Sequence, residues 1–361
     1  MGKRTVIPFG PQHPVLPEPI HLDLVLDDET VVEAIPSIGF VHRGLEKLVE
    51  KREFTEYVYV AERICGICSF MHGMGYCMAV EDVMDIKVPD RAEYLRTIWA
   101  ELGRIQSHML WLGLLADAMG FESLFMHSWR LREKILDIFD MTVGGRIIHS
   151  VCKIGGVRKD MDAEMLKRVM DILDEFEHTL HDATNVFLRD SSVKHRMKGL
   201  GVLSMEDAAN LGAVGPMARA SGIAVDQRKL LGYAAYPDLQ FDIITAEEGD
   251  CYARTRVRIE DIFQAVGLIR QLVARMPEDP AIDQKITGAP KGEAFARLEQ
   301  PRGEVLYYVR GNGTKFLDRM RVRTPTFANL PSLIATLPGV ELADVPMLVL
   351  TIDPCISCTE R

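Results

Sequence analysis

The chain has 361 residues, 47% apolar and 26% charged, with a formal net charge of −10. That apolar share supports a sizeable buried core and excludes a disordered chain, while the acidic balance disfavours nucleic acid as a partner. The opening Met1-Gly-Lys-Arg-Thr-Val-Ile-Pro lacks the long apolar core of a secretory signal. No uncharged run approaches the roughly 18 to 20 residues that span a bilayer, so a cytoplasmic chain is expected.

Three β-rich segments come first, Thr5 to Phe9, His21 to Leu26 and Val31 to Ile35, with Asp27-Asp28-Glu29-Thr30 as a hairpin turn. Helical patterns follow over 43–51, 54–64, 67–85, 91–118, 122–142 and 162–187. Within 91–118, Leu95, Ile98, Trp99, Leu102, Ile105, Met109, Leu112 and Leu115 recur three or four apart, the stripe of a core helix. Gly- and Pro-containing sequence between 188 and 250 predicts irregular connections around short helices. A further helix over about 251–276 precedes a strand at Gly303 to Arg310, a helix around Ala328 to Thr336 and a short apolar strand at Met347 to Ile352. No linker-like tract divides the chain, so one domain over 1–361 is expected: a small sheet to about 40, a helical bundle over 41–190 and a mixed segment over 191–361. The class is mainly α with small β parts.

Seven cysteines in a chain without a secretory signal point to thiols or metal ligands rather than disulfides. Four form two Cys-x-x-Cys motifs, Arg63-Ile-Cys65-Gly-Ile-Cys68-Ser-Phe-Met-His72 and Asp353-Pro-Cys355-Ile-Ser-Cys358. Two intervening residues let both thiolates of a motif converge on one ion or on two neighbouring ions. A zinc ribbon also pairs two such motifs, but usually about 15 to 20 residues apart, whereas these stand at opposite ends of the chain. A thioredoxin-like pair expects a βαβ context that is absent here. Cys77, Cys152 and Cys251 lie in apolar settings without paired spacing and read as small core residues.

The residues around the cysteines carry a resemblance. Arg-Ile-Cys-Gly-Ile-Cys-Ser-x-x-His and Asp-Pro-Cys-x-x-Cys-x-x-Arg resemble the two signature motifs of nickel-iron hydrogenase large subunits. Ile7-Pro-Phe-Gly-Pro-Gln-His-Pro14, His42-Arg-Gly-Leu-Glu46 and the segment Gly215 to Asp226 look like the energy-converting, membrane-bound group, particularly the Ech type. The likeness extends to the quinone-site subunit of respiratory complex I, which shares the fold and the Gly-Pro-x-His-Pro segment but lacks the metal cysteines. His13 matches that subunit's quinone-pocket histidine.

The resemblance implies a hydrogenase large-subunit-like fold and a nickel-iron centre carrying one carbon monoxide and two cyanides on iron. Nickel is bound by Cys65, Cys68, Cys355 and Cys358, and iron by Cys68 and Cys358. It further implies that Cys355 accepts a proton, that Glu18 relays it, and that Arg302 in Gln300-Pro-Arg-Gly covers the site. Thr326 would bond a cyanide, Asp353 would hold Arg302, and His72 would stand behind the ligands. In many members the Arg-Gly-x-Glu glutamate, here Glu46, binds magnesium with a terminal histidine. Arg361 stands at that position, so its guanidinium is expected to pair with Glu46 in the cation's place. An end at Arg361 also fits the family habit of trimming a C-terminal extension.

The implied partners are a small subunit with a 4Fe-4S cluster, a ferredoxin-like iron-sulfur subunit and antiporter-like membrane subunits, on the cytoplasmic face of a membrane. Ferredoxin would donate electrons for reduction of protons to H2, coupled to ion translocation. The competing readings are a non-catalytic complex I-like subunit and a zinc-stapled structural protein.

Overall fold

In the computed structural model residues 4–361 are described; Met1 to Lys3, the first residues of the N-terminal stretch that lacks a signal core, lie outside them. The first sheet is antiparallel, in the order Thr5–Phe9, His21–Asp27, Thr30–Ser37. In the central strand Leu22, Leu24 and Leu26 are buried while His21, Asp23 and Val25 are only partly covered, the period of two that a one-sided strand requires. Asp28 turns the hairpin with φ 53°, a left-handed conformation that aspartate tolerates. The connection between the first two strands carries Glu18.

The helix Asp90–Ala118 forms the centre of the bundle, packed by Glu122–Val143 and by Cys251–Ala274. It is buried almost all round, and its burial includes Arg96, Glu101, Arg104 and His108. The outer helix Ala163–Arg189 instead buries one stripe, with Leu166, Val169, Leu173, Phe176 and Leu180 inward, and Asp162 caps it by accepting the Met165 N–H.

A second antiparallel sheet runs Lys291–Gln300, Gly303–Asn312, Leu317–Arg323. Gln300 pairs with Gly303, so Pro301 and Arg302 form the tip of its first hairpin. A Cβ on Gly215 would lie 2.4 Å from Gly303 Cα, and one on Gly303 would lie 2.8 Å from Gly215 N. Only two glycines permit this backbone approach, which seats the tip carrying Arg302.

The apolar run at Met347 to Ile352, expected as a strand, is the helix Val345–Thr351. Every residue there except Pro346 is buried, so no periodicity marked it as helical. Pro346 at its first turn is compatible with helix initiation. The strands Lys291–Gln300 and Leu317–Arg323 stand where no strand is expected, whereas the short helix Ser191–Met197 falls within the stretch expected to hold short helices. One hydrophobic cluster extends from Phe9 through the bundle to Cys358 and includes all four motif cysteines.

Candidate metal centre

Helix Tyr57–Glu62 ends just before the first motif, and helix Ser69–Val83 begins directly after Cys68, which stands at its N-cap position. Exposed backbone N–H groups at a helix start favour a thiolate there. The second motif follows helix Val345–Thr351 through Asp353, at φ 55°, and precedes the short helix Ile356–Thr359.

The two motifs meet first cysteine to first and second to second. Cys65 and Cys355 Sγ are 3.3 Å apart, as are Cys68 and Cys358 Sγ, and all four sulfurs lie within 4.8 Å of one another. None is more than 3% exposed and none is disulfide-bonded. Burial, with hydrogen bonding among the thiols, pushes Cys355 and Cys358 well above the ordinary thiol range. Hydrogen bonds from Cys355, Cys358 and Cys65 hold Cys68 well below it. Four thiolates this close and this dry repel strongly, so their joint ionisation requires a cation among them. Soft anionic donors at this spacing fit a transition-metal site.

The side chains around the sulfurs are fixed in turn. Arg302 donates from Nε to Asp353 O (2.8 Å), from Nη2 to Asp353 Oδ1 (2.7 Å) and from Nη1 to Ser107 Oγ (3.1 Å). Burial opposes its charge, but Asp353, Cys355 and the other thiolates hold it well above the usual arginine value. Asp353 is raised by burial despite that partner, and its Oδ2 is buried without a hydrogen bond. Thr326 Oγ1 accepts the Cys355 N–H at 3.1 Å, while Thr324 Oγ1 donates to Cys358 O at 3.2 Å. His72 sits between Cys358 Sγ (3.1 Å from Nε2) and the Tyr307 hydroxyl (2.5 Å from Nδ1). Gln300 Nε2 reaches the same imidazole at 3.4 Å, and its Oε1 is a second buried oxygen without a partner.

Glu18 contacts the second motif at Cys355 and Ser357. Its Oε2 accepts from Ser357 N (2.6 Å) and Ser357 Oγ (3.1 Å), and its Oε1 accepts from the Cys355 thiol at 3.6 Å. The same carboxylate lines an open cavity of about 460 Å³ with His13, Gln12 and Phe40. Glu46 accepts from Arg361 Nε (2.9 Å), Arg321 Nη1 (2.7 Å) and Val322 N (3.0 Å). Burial works against that carboxylate, yet these donors leave it below its ordinary value. Cys77, Cys152 and Cys251 are buried and do not join the four-sulfur group.

Sequence reasoning missed Ser107, Tyr307, Glu360 and Arg43. Only Arg43 had a signal, standing inside the His42-Arg-Gly-Leu-Glu46 motif that was read for its glutamate alone.

A helical bundle that closes two distant Cys-x-x-Cys motifs into one buried thiol group builds a candidate thiolate metal site. The family model described as respiratory-chain NADH dehydrogenase, 49 Kd subunit, matches residues 118–290 and 284–361, and that of nickel-dependent hydrogenase matches residues 43–118. The chain therefore belongs to the family that unites nickel-iron hydrogenase large subunits with the 49 kDa subunit of respiratory complex I. It is 40% identical to the carbon monoxide-induced hydrogenase of Rhodospirillum rubrum, over 98% of this chain and 99% of that one. It is 38% identical to the alpha subunit of the membrane-bound hydrogenase of Pyrococcus furiosus, over 98% of this chain and 87% of that one. Other relatives are subunits of NADH-quinone oxidoreductases, among them one from Syntrophobacter fumaroxidans that is 36% identical over 98% of this chain and 95% of that one. Among solved structures, a chain of the membrane-bound sulfane sulfur reductase, an archaeal respiratory membrane complex, superposes with a TM-score of 0.94 at 32% identity. That match covers 99% of this chain and 98% of the other. Relatives of this kind are oxidoreductase subunits of membrane complexes; in this chain no helix among the described residues is long and apolar enough to cross a membrane.

Proposed function

We propose that the chain is the catalytic subunit of an energy-converting nickel-iron hydrogenase, reversibly reducing protons to H2 with electrons from reduced ferredoxin. It would sit at the cytoplasmic face of a membrane complex that couples this reaction to ion translocation. A small subunit with a 4Fe-4S cluster would deliver the electrons, alongside a ferredoxin-like subunit and antiporter-like membrane subunits. The observation that carries the reading is the group of four buried thiols within 4.8 Å, drawn from both ends of the chain.

Cys65, Cys68, Cys355 and Cys358 would hold nickel, with Cys68 and Cys358 shared with iron. When bound, the nickel-iron centre, with one carbon monoxide and two cyanides on iron, supplies the site for heterolytic formation and cleavage of H2. Arg302, locked by Asp353 and Ser107, places a permanent cation beside the thiolates, where it stabilises negative charge in a dry environment. Thr326 fixes the Cys355 backbone, and His72 steadies the Cys358 sulfur against Tyr307. Proton movement is assigned to Cys355 Sγ and Glu18 Oε1, 3.6 Å apart. From Glu18 the proton passes to water in the cavity lined by His13.

The same cavity supports a second reading, a quinone-site subunit of a complex I-like machine, since His13 and Glu18 share its wall. Metal analysis of the purified complex separates the two. Nickel with iron, together with infrared bands of bound carbon monoxide and cyanide, is the expected result. A complex free of metal would favour the quinone reading, and zinc alone would leave only a structural staple.

A further inference from the structure

The second motif lies on the segment Asp353–Arg361, whose one helix is four residues long. Such a segment cannot hold two sulfurs in register through its own backbone hydrogen bonds. Besides Glu18, Arg302, Thr324 and Thr326, the loop of residues 39 to 46, which runs into helix Leu45–Leu48, restrains it. Glu360 accepts N–H bonds from Gly39 and Val41, His42 Nδ1 lies 2.9 Å from Glu360 O, and Glu46 takes Arg361. Within this loop Arg43 does something no other bond there does. Its Nη1 donates to Arg63 O (3.2 Å), and its Nη2 donates to both Ile64 O (2.9 Å) and Ser357 O (2.8 Å). Ile64 immediately precedes Cys65, and Ser357 immediately precedes Cys358. One planar guanidinium thus joins the peptide before the first ligand of one motif to the peptide before the second ligand of the other.

We infer that Arg43 is a positioning residue for the metal centre, a strut that sets the separation of the two Cys-x-x-Cys motifs. The inference deepens the hydrogenase reading and rests on it for the identity of the metal, but the strut itself concerns only the four sulfurs. A metal site tolerates displacements of about 0.5 Å in its ligands, so a link between the two halves of the donor set matters more than its stability contribution suggests. Arginine suits the task because its fork donates along several fixed directions at once, whereas lysine offers a single compact point. With Arg43 removed, Glu18 still holds Ser357 N. The segment therefore remains docked while Cys358 loses its tie to the Cys65 peptide.

The test compares wild type, Arg43→Lys, Arg43→Gln and the remote control Arg310→Lys in the intact complex. One measurement is nickel and iron per chain with the infrared bands of the bound diatomics. The others are the thermal unfolding midpoint and titration of complex from nickel-depleted cells with cobalt(II), read by the thiolate-to-cobalt charge-transfer band. Both Arg43 variants are expected to keep the wild-type unfolding midpoint within a few degrees while cobalt affinity falls about 10- to 100-fold. Their infrared bands should broaden or shift, and Arg310→Lys should match wild type. Wild-type cobalt affinity with unshifted bands in Arg43→Gln would overturn the strut. A wild type that binds cobalt through thiolates but carries no nickel and iron from its host would sink the hydrogenase reading and leave the strut to be decided by cobalt affinity. Absence of the cobalt band in wild type would remove both.

Discussion

Cys65 and Cys68 lie between two helices, the second of which runs from Ser69 to Val83 through the core, whereas Cys355 and Cys358 lie on a segment with a helix of only four residues. The first pair is placed by secondary structure and packing. The second is placed by side chains from elsewhere: Thr326 on Cys355 N, Glu18 on Ser357, Arg302 on Asp353, and the loop from Gly39 to Glu46 on the rest. A site built this way depends on contacts from outside its own segment for the position of its second half. It also follows that substitutions outside the ligands should act mainly through the second motif.

The largest effect should come from the ligands. Cys358→Ser replaces a soft thiolate by a hydroxyl that does not ionise in the accessible range, so the purified complex should contain no nickel-iron centre and evolve no H2. Metal content near wild type in that variant would break the assignment outright. Arg302→Lys comes next. It cannot reproduce the three bonds from one fork, so turnover is expected to fall about 10- to 100-fold with the metal retained. Unchanged turnover in H2-evolution assays would show that this arginine only fills space.

The four cysteines were legible in the sequence because residue type and spacing there carry the chemistry directly. Glu18, Arg302, Asp353 and Thr326 were reached through a family resemblance, and the structure brings each into contact with the second motif or with its holders. Arg43 was passed over because nothing local shows that a guanidinium beside Gly44 spans two carbonyls far apart in sequence. A similar blindness affected the long helix Asp90–Ala118. Its apolar stripe marks one buried face but gives no sign that Glu101 and Arg104 are buried too, against Arg228, Asp226 and Tyr236. The helix Val345–Thr351 was mistaken for a strand because a fully buried run has no alternation to read.

That buried charge network yields a pH prediction of intermediate size. Glu299 borders it, accepting the Gln227 N–H at Oε2 (3.1 Å) while Oε1 has no partner. Burial and then Asp226 push Glu299 up to about 8, against the opposing pull of Arg219, Arg104 and the Gln227 N–H. In the unfolded chain a glutamate titrates near pH 4.3. Between those two values the folded protein keeps a proton that the unfolded chain has released, so stability falls as pH rises through the window. The contribution is of order 1 kcal/mol per pH unit, and Glu299→Gln should remove it. Unfolding midpoints from pH 5 to pH 8 in both proteins test this. Parallel curves would mean that Glu299 ionises in the folded state as freely as in the unfolded one.

The smallest effect belongs to the outer edge of the second motif. Arg361 and Glu46 are 15% and 12% exposed, and their pairing is one of several bonds on the same carboxylate. Arg361→Ala leaves Arg321 Nη1 at 2.7 Å and Val322 N at 3.0 Å, so Glu46 stays paired and the cost should be about 1 kcal/mol or less. Nickel content should not change. A chelator of magnesium should likewise leave the wild-type unfolding midpoint where it is, because a carboxylate held by two guanidinium groups lacks the ring of oxygens that a hard dication requires. A fall of several degrees on chelation, or density for magnesium on Glu46, would mean that a cation and not Arg361 closes this edge of the second motif.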